Sequence, residues 1–423
     1  MRNTYIRKNG NAIVTSAASD TASIEGRQSR LIAAALAMLF TGVIYAWSVF
    51  KVPLAAEFSW SVSALAFNYT LTLCFFCIGG ILGGFLIQKR SARTSLLIAA
   101  GSIFAGFFIT SRLSGNIVML YFCYGILSST GIGMAYNAII TTMNAWFPDR
   151  KGFCTGVLMM CFGLSALLMG SAAERLFNMP GFGWRKTFLL FGVLTAVVLL
   201  GASYWMQKPD TGVMFPEGKK SSRRGAEVFE TRDYSTGEML RRSSFWRFFA
   251  FMALSSTVGS TTISFARDIA ASAGAAAAFA TALAGTLSLC NGLGRIVCGS
   301  LLDRLGRRRT MLLVSGLVIT SAAVLLVAVN LRSLPLCVAA LCLTGMGYGA
   351  LAPLVAVFTT IFYGQKYFSG NYGMANTMMI PSSFSASLAG ILLSSTGSYA
   401  APVMMILVFA ALGLLFNWSL KRP

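Results

Sequence analysis

Twelve apolar runs, each about 20 residues long, recur along this chain. A run of that length admits one stable form. In hydrocarbon no water satisfies backbone N–H and C=O groups, so the segment must satisfy its own as a helix. The runs are approximately Leu31–Val52, Val62–Ile87, Ser95–Ser111, Ile117–Asn144, Phe153–Ser171 and Thr187–Trp205, then Ser244–Ile269, Ala273–Leu302, Thr310–Val329, Leu334–Phe362, Tyr372–Ser394 and Ala401–Leu420. Charged residues make up only 11% of the chain and hydrophobic ones 56%. The fold class is therefore an all-α polytopic membrane protein, with the lipid bilayer as its first partner.

A net charge of +21 would suggest nucleic acid in a water-soluble chain. Here the basic residues gather in short loops between spans, where topology accounts for them. With both termini on the cytoplasmic side, 26 of the 34 Lys and Arg fall on that side and 7 on the other. Nucleic acid is not an expected partner. Residues 1–30 read as a cytoplasmic tail, 31–206 as a six-helix unit, 207–243 as a polar linker, 244–420 as a second six-helix unit and 421–423 as the C-terminal tail. All nine cysteines lie in apolar segments and serve as small hydrophobes. Cys74 and Cys77 have no second pair and no histidine near them, so no metal site is expected. Nothing in the sequence suggests a cofactor, a nucleophile–base pair or a nucleotide loop, and enzymatic activity has no support.

The two halves echo each other. Gly299-Ser-Leu-Leu-Asp303-Arg304-Leu-Gly306-Arg307-Arg308 follows the eighth span; Gly84-Phe-Leu-Ile-Gln88-Lys89-Arg90 follows the second, 215 residues earlier. Trp146–Gly152 and Phe362–Gly370 repeat the relation at an offset of 216. Two echoes in nearly one register predict duplicated, pseudo-symmetric six-helix bundles with a site between them near the midplane.

One charge lies deep in a span. Arg295 precedes Asp303 by eight residues, about 12 Å of helix, inside a hydrocarbon layer of ~30 Å. Such a charge costs ~2.5–3.5 kcal/mol on insertion scales and marks a candidate functional site. None of the thirteen acids sits deep in a span. A carboxylate substrate would supply the missing partner; the alternative is that Arg295 bonds backbone carbonyls or snorkels to the cytoplasm. Asn291 lies four residues away, and Tyr45, Tyr136, Tyr348 and Asn376 fall at comparable depth, as candidate ligands. Trp47 is a further candidate, although aromatic residues also populate interface belts.

The loop Gly299–Arg308 matches the signature of the major facilitator superfamily, which implies the twelve-helix facilitator fold and transport by alternating access. Gly42-Val-Ile-Tyr45-Ala-Trp47-Ser48, WFPDRKG at 146–152, Gly183-Trp184-Arg185, Asn291-Gly-Leu-Gly294-Arg295 and Asn371-Tyr372-Gly373 resemble the oxalate/formate antiporter family within it. The resemblance implies a carrier of small organic anions in a bacterial inner membrane, expected to act as a monomer. It assigns Arg295 to the substrate, and Gly299, Asp303, Arg304, Gly306, Arg307 and Arg308 to a gating loop whose degraded counterpart holds Gly84 and Gln88. The family's oxalate exchanger also carries a lysine in span 11. Here no lysine lies between Lys366 and Lys421, and Met379 stands at roughly that place. A monocarboxylate such as pyruvate, lactate or formate is favoured over a dicarboxylate exchanged as oxalate is for formate. With no histidine and no deep carboxylate, exchange or uniport is favoured over proton symport. A transporter-like carboxylate sensor is a further alternative. A hydrophobic-cation exporter would need a cavity acid that this chain lacks.

Overall fold

The structure, a computed structural model, describes residues 26–207, 209 and 232–421. Most of the expected tail and of the linker falls outside these residues. The described chain is helical and contains no strand. Its long helices are α1 (Gly26–Phe58), α2 (Val62–Lys89), α3 (Ala92–Thr110), α4 (Ile117–Trp146), α5 (Lys151–Phe177) and α6 (Gly183–Trp205), then α7 (Ser243–Ser272), α8 (Ala277–Leu305), α9 (Arg307–Leu331), α10 (Leu334–Tyr363), α11 (Phe368–Thr396) and α12 (Ala400–Trp418). Eleven are long and apolar enough to cross a membrane. The twelfth, α8, is 29 residues long and carries Arg295.

The helices outrun the apolar runs because their ends keep bonding partners. Ser61 and Ser91 accept N–H bonds at the starts of α2 and α3, at 3.2 and 3.1 Å. Asn116 does the same for α4 at 2.9 Å. Between α8 and α9 the chain turns through Gly306 at φ 76°, a conformation that favours glycine.

Each half repeats one packing scheme. In the first, α1 packs on α5, α2 on α4 and α3 on α6; in the second, α7 packs on α11, α8 on α10 and α9 on α12. The order is the same six helices later, as duplication requires. An aromatic cluster of Phe50, Phe107, Tyr124 and Phe188 fills the first half. In the second, Phe248 and Phe358 stack with centroids 3.6 Å apart. Large apolar side chains such as Ile32, Val118, Leu331 and Leu415 remain exposed on the outside, where lipid would cover them.

One end of the bundle collects the basic loops. There Arg27 pairs with Asp149 and lies over the Phe147 ring. Arg30 covers Trp146, and the Trp146 indole donates to the Gln207 carbonyl at 2.7 Å. The motif 146–152 is thus a dock for the start of α1. At the opposite end Glu57 joins Arg185 at 2.7 Å and accepts from the Trp184 indole at 2.6 Å, which ties α1 to α6.

Candidate functional site

The halves meet along two helix crossings, α5 with α8 and α2 with α11. Glycines make both possible. A Cβ on Gly299 would lie 2.2 Å from the Gly152 carbonyl, and one on Gly152 would lie 2.4 Å from the Gly299 carbonyl. In the pseudo-symmetric crossing, a Cβ on Gly84 would lie 2.3 Å from the Ser369 carbonyl, whose own hydroxyl donates to Gly84 at 2.9 Å. The two sequence echoes therefore face one another in space. Gly84 and Gly299 of the first echo each meet the second echo on the opposite half.

Asp303 sits at the α5–α8 crossing. Its carboxylate accepts the backbone N–H groups of Gly152 at 3.0 Å and Phe153 at 2.8 Å. These are first-turn donors of α5, which lack intrahelical acceptors and lie at the positive end of the helix. Gln88 occupies the equivalent place and reverses the polarity, with its amide donating to the Tyr367 carbonyl at 3.3 Å. The remaining residues of the expected gating loop behave differently. Arg307 stacks over Phe362 within its own half, Gly306 forms the turn, and Arg304 and Arg308 are exposed. Gly299 and Asp303 carry cross-half contacts of this loop.

Above these crossings lies a small cavity of ≈ 50 Å³. Tyr45, Phe76, Tyr136 and Phe162 line it from the first half, and Ser256, Arg295, Tyr348, Leu351, Ala352, Asn376, Met378 and Met379 from the second. No carboxylate is among the described lining residues. Arg295 is 6% exposed and donates to the main-chain carbonyl of Met159 on α5, across the halves. The tyrosines at 45, 136, 348 and 372 lie within electrostatic reach of its guanidinium. Tyr372 donates to the Tyr136 hydroxyl at 3.1 Å.

Local irregularities aim these side chains. Tyr45 falls in a 3-10 stretch, Gly42–Ala46, where α1 runs against α5: a Cβ on Gly42 would lie 2.1 Å from the Phe162 carbonyl. Asn376 and Met378 lie in a second such stretch, Asn376–Met378. Its cause is Pro381, which has no N–H and crowds the carbonyl of Thr377 four residues earlier. Gly259 of α7 leaves room for the Tyr348 ring, since a Cβ there would lie 2.1 Å from Tyr348 Cγ.

Five of the seven expected binding residues thus share one cavity: Arg295, Tyr45, Tyr136, Tyr348 and Asn376. Two do not. Asn291 points toward α10, where its Oδ1 would be 2.9 Å from a Cβ on Gly349; the four-residue spacing gave the helix face but not the rotation of a side chain at its edge. Trp47 is buried within the first half, tilted against Tyr124 with its indole donating to the Leu65 carbonyl at 3.2 Å. Phe76, Phe162, Ser256, Leu351 and Met378 were not expected. Apolar residues in apolar runs, and a small serine such as Ser256 among them, carry no signal that separates a cavity wall from a core.

Comparison with known proteins agrees with this architecture. The model of the Major Facilitator Superfamily matches residues 31–379 and 251–423. The chain belongs to the major facilitator superfamily. This facilitator is 27% identical over 347 residues to the uncharacterized MFS-type transporter YhjX of Escherichia coli (strain K12), covering 81% of this chain and 82% of that one. It is 24% identical to the oxalate:formate antiporter of Oxalobacter formigenes, covering 81% of this chain and 79% of the relative. Monocarboxylate transporter 12 of Rattus norvegicus is 24% identical, with 89% and 82% covered. Among solved structures, the proton:xylose symporter XylE superposes with a TM-score of 0.72 at 14% identity, over 93% of this chain and 97% of that one. That likeness concerns the fold. Family and fold make the chain a multi-pass membrane transporter rather than an enzyme.

Proposed function

We propose that this facilitator carries a small organic monoanion, a carboxylate such as pyruvate, lactate or formate, by alternating access around Arg295. One observation carries the reading. A buried guanidinium lines a cavity between the halves with no carboxylate among its described lining residues to neutralise it. A carboxylate would receive charge-assisted bonds from Arg295 and hydroxyl bonds from Tyr45, Tyr136 or Tyr348, while Phe76, Phe162, Leu351 and Met379 face an apolar body. Met379 supplies no second cation, which favours a monoanion over oxalate. The similarity to the oxalate:formate antiporter and to monocarboxylate transporter 12 supports the substrate class in general terms.

In this reading the basic end is cytoplasmic, by the distribution of Lys and Arg, and the membrane is a bacterial inner membrane. Asp303 with Gly299, and Gln88 with Gly84, hold that end closed. The test is uptake of labelled pyruvate, lactate, formate and oxalate into proteoliposomes, with and without internal counter-substrate. Arg295→Gln is expected to abolish anion uptake while the purified protein keeps its monodisperse elution and thermal transition. Normal uptake by that variant overturns the proposal, and a clear preference for oxalate overturns the monoanion assignment.

A further inference from the structure

In the second half, α8 and α9 each pack against α10 more closely than against one another. Glycines draw both onto it. A Cβ on Gly294 of α8 would lie 2.2 Å from the Met346 carbonyl, and one on Gly347 of α10 would lie 3.2 Å from Val318 Cγ2 of α9. Between α8 and α9 an apolar groove is left. Val297 and Leu301 form one wall, Leu313 and Leu317 the other, and Met346 and Ala350 of α10 lie along its floor. Val297 is 43% exposed and Leu313 54%, so the groove opens outward, to the lipid. Its lower end meets the basic loop. Arg304 follows Leu301 by three residues and Arg309 precedes Leu313 by four, so each continues a wall of the groove about 5 Å further along its helix. Both arginines are exposed, as is Arg308 between them. Among the described residues no carboxylate pairs with any of the three. Asp303, beside Arg304, spends its carboxylate oxygens on the N–H groups of α5.

We propose that this groove and the arginines at its foot bind one anionic phospholipid, its phosphodiester on Arg304 and Arg309 and an acyl chain between α8 and α9. The walls select the chain. They are apolar along their length and face hydrocarbon, where a groove between helices is filled by lipid tails. The arginines select the headgroup. They stand one turn beyond the apolar walls, where a chain lying in the groove ends in its phosphate. A guanidinium meets a phosphodiester with two parallel N–H···O bonds, a match that a solvated point charge lacks. A zwitterionic lipid brings its own cation to the same place and gains less from the arginines. A free phosphate would meet the same arginines but leave the groove unfilled. The complementarity of apolar groove and basic foot therefore fits a whole anionic lipid, held at one place on the second half.

The test titrates the purified full-length protein, in detergent, with phosphatidylglycerol, phosphatidylcholine or glycerol 3-phosphate, and counts bound lipid by native mass spectrometry. Each arginine is expected to contribute about fivefold, so one phosphatidylglycerol should bind roughly 25-fold more tightly than phosphatidylcholine. Glycerol 3-phosphate at the same concentration should not compete. Arg304→Gln combined with Arg309→Gln should bring the two lipids within about threefold of each other. Lys89→Gln with Arg90→Gln, exposed on the corresponding loop of the first half, should keep the preference. Leu317→Trp fills the groove and should weaken both lipids about tenfold, the worth of roughly two displaced methylene groups. Equal binding of the two lipids by the parent, a preference that survives the double Arg→Gln change, or one lost equally in the first-half control overturns the proposal. Competition by glycerol 3-phosphate overturns it in favour of a simple anion site. The unaltered protein gives a second reading. Phosphatidylglycerol with a diazirine in its acyl chain should crosslink within 297–301 and 313–317, and crosslinks confined to other helices also overturn the proposal. None of these outcomes depends on which substrate the carrier moves.

Discussion

Asp303→Ala probes the closure of the basic end most directly. The carboxylate accepts two first-turn N–H groups of α5 at 3.0 and 2.8 Å. Hydrogen bonds to a charged group contribute ~1.5–3 kcal/mol each when buried, and the helix terminus adds ~0.3–1 kcal/mol. Asp303 is solvent-accessible, so screening by water brings the whole contact below the buried sum, to about 2–3 kcal/mol. Since 1.4 kcal/mol is tenfold, the ratio of closed to open basic ends should fall roughly 30- to 150-fold. Cys154 is a native reporter: it is fully buried near Asp303 in the first turns of α5. With the other eight cysteines replaced, its alkylation rate by an impermeant maleimide at fixed pH measures how often the crossing opens. Gln88→Ala is the matched control. It removes one neutral, exposed bond of 3.3 Å, which is ~0.5–1 kcal/mol or about two- to fivefold. If Asp303→Ala alkylates within twofold of the parent, or Gln88→Ala matches it, the account of an asymmetric latch is wrong.

Two further outcomes follow from the cavity wall and its neighbours. Met379→Lys adds a cation beside the site and should raise the oxalate-to-pyruvate uptake ratio by about tenfold; an unchanged ratio would mean that Met379 does not face the substrate. Trp47→Phe removes the indole bond to the Leu65 carbonyl and should lower Tm by ~2–4 °C while pyruvate KM stays within twofold. A tenfold rise in KM at unchanged Tm would return Trp47 to the substrate site.

How far the site was legible depended on the chemistry of each partner. Arg295 announced itself, because a charge in a long apolar run has no inconspicuous explanation. Tyr45, Tyr136, Tyr348 and Asn376 stood out as polar groups at matching depth, and the structure gathers them around it. The Met159 carbonyl was invisible, because every residue has one and only tertiary packing selects which is used. Gly163 reads as a generic packing glycine, although Gly152 and Gly156 at four-residue spacing, paired with Arg295 and Gly299 at the same spacing, hint at a close crossing.

The sequence by itself determined the helices and their duplication. Backbone groups in hydrocarbon have no partner outside their own segment, so the length of each apolar run dictates its structure. It also determined that an unpaired cation lies in the membrane. Only the tertiary structure decided what that cation touches. It brought Gly299 against Gly152 and Gly84 against Ser369, turned Asn291 toward α10, and left Trp47 in the core of the first half. It also set Arg295 on a carbonyl of the opposite half. The contacts between the halves join residues more than a hundred positions apart, and the energies of all of them depend on distances of a few ångströms that no local pattern encodes.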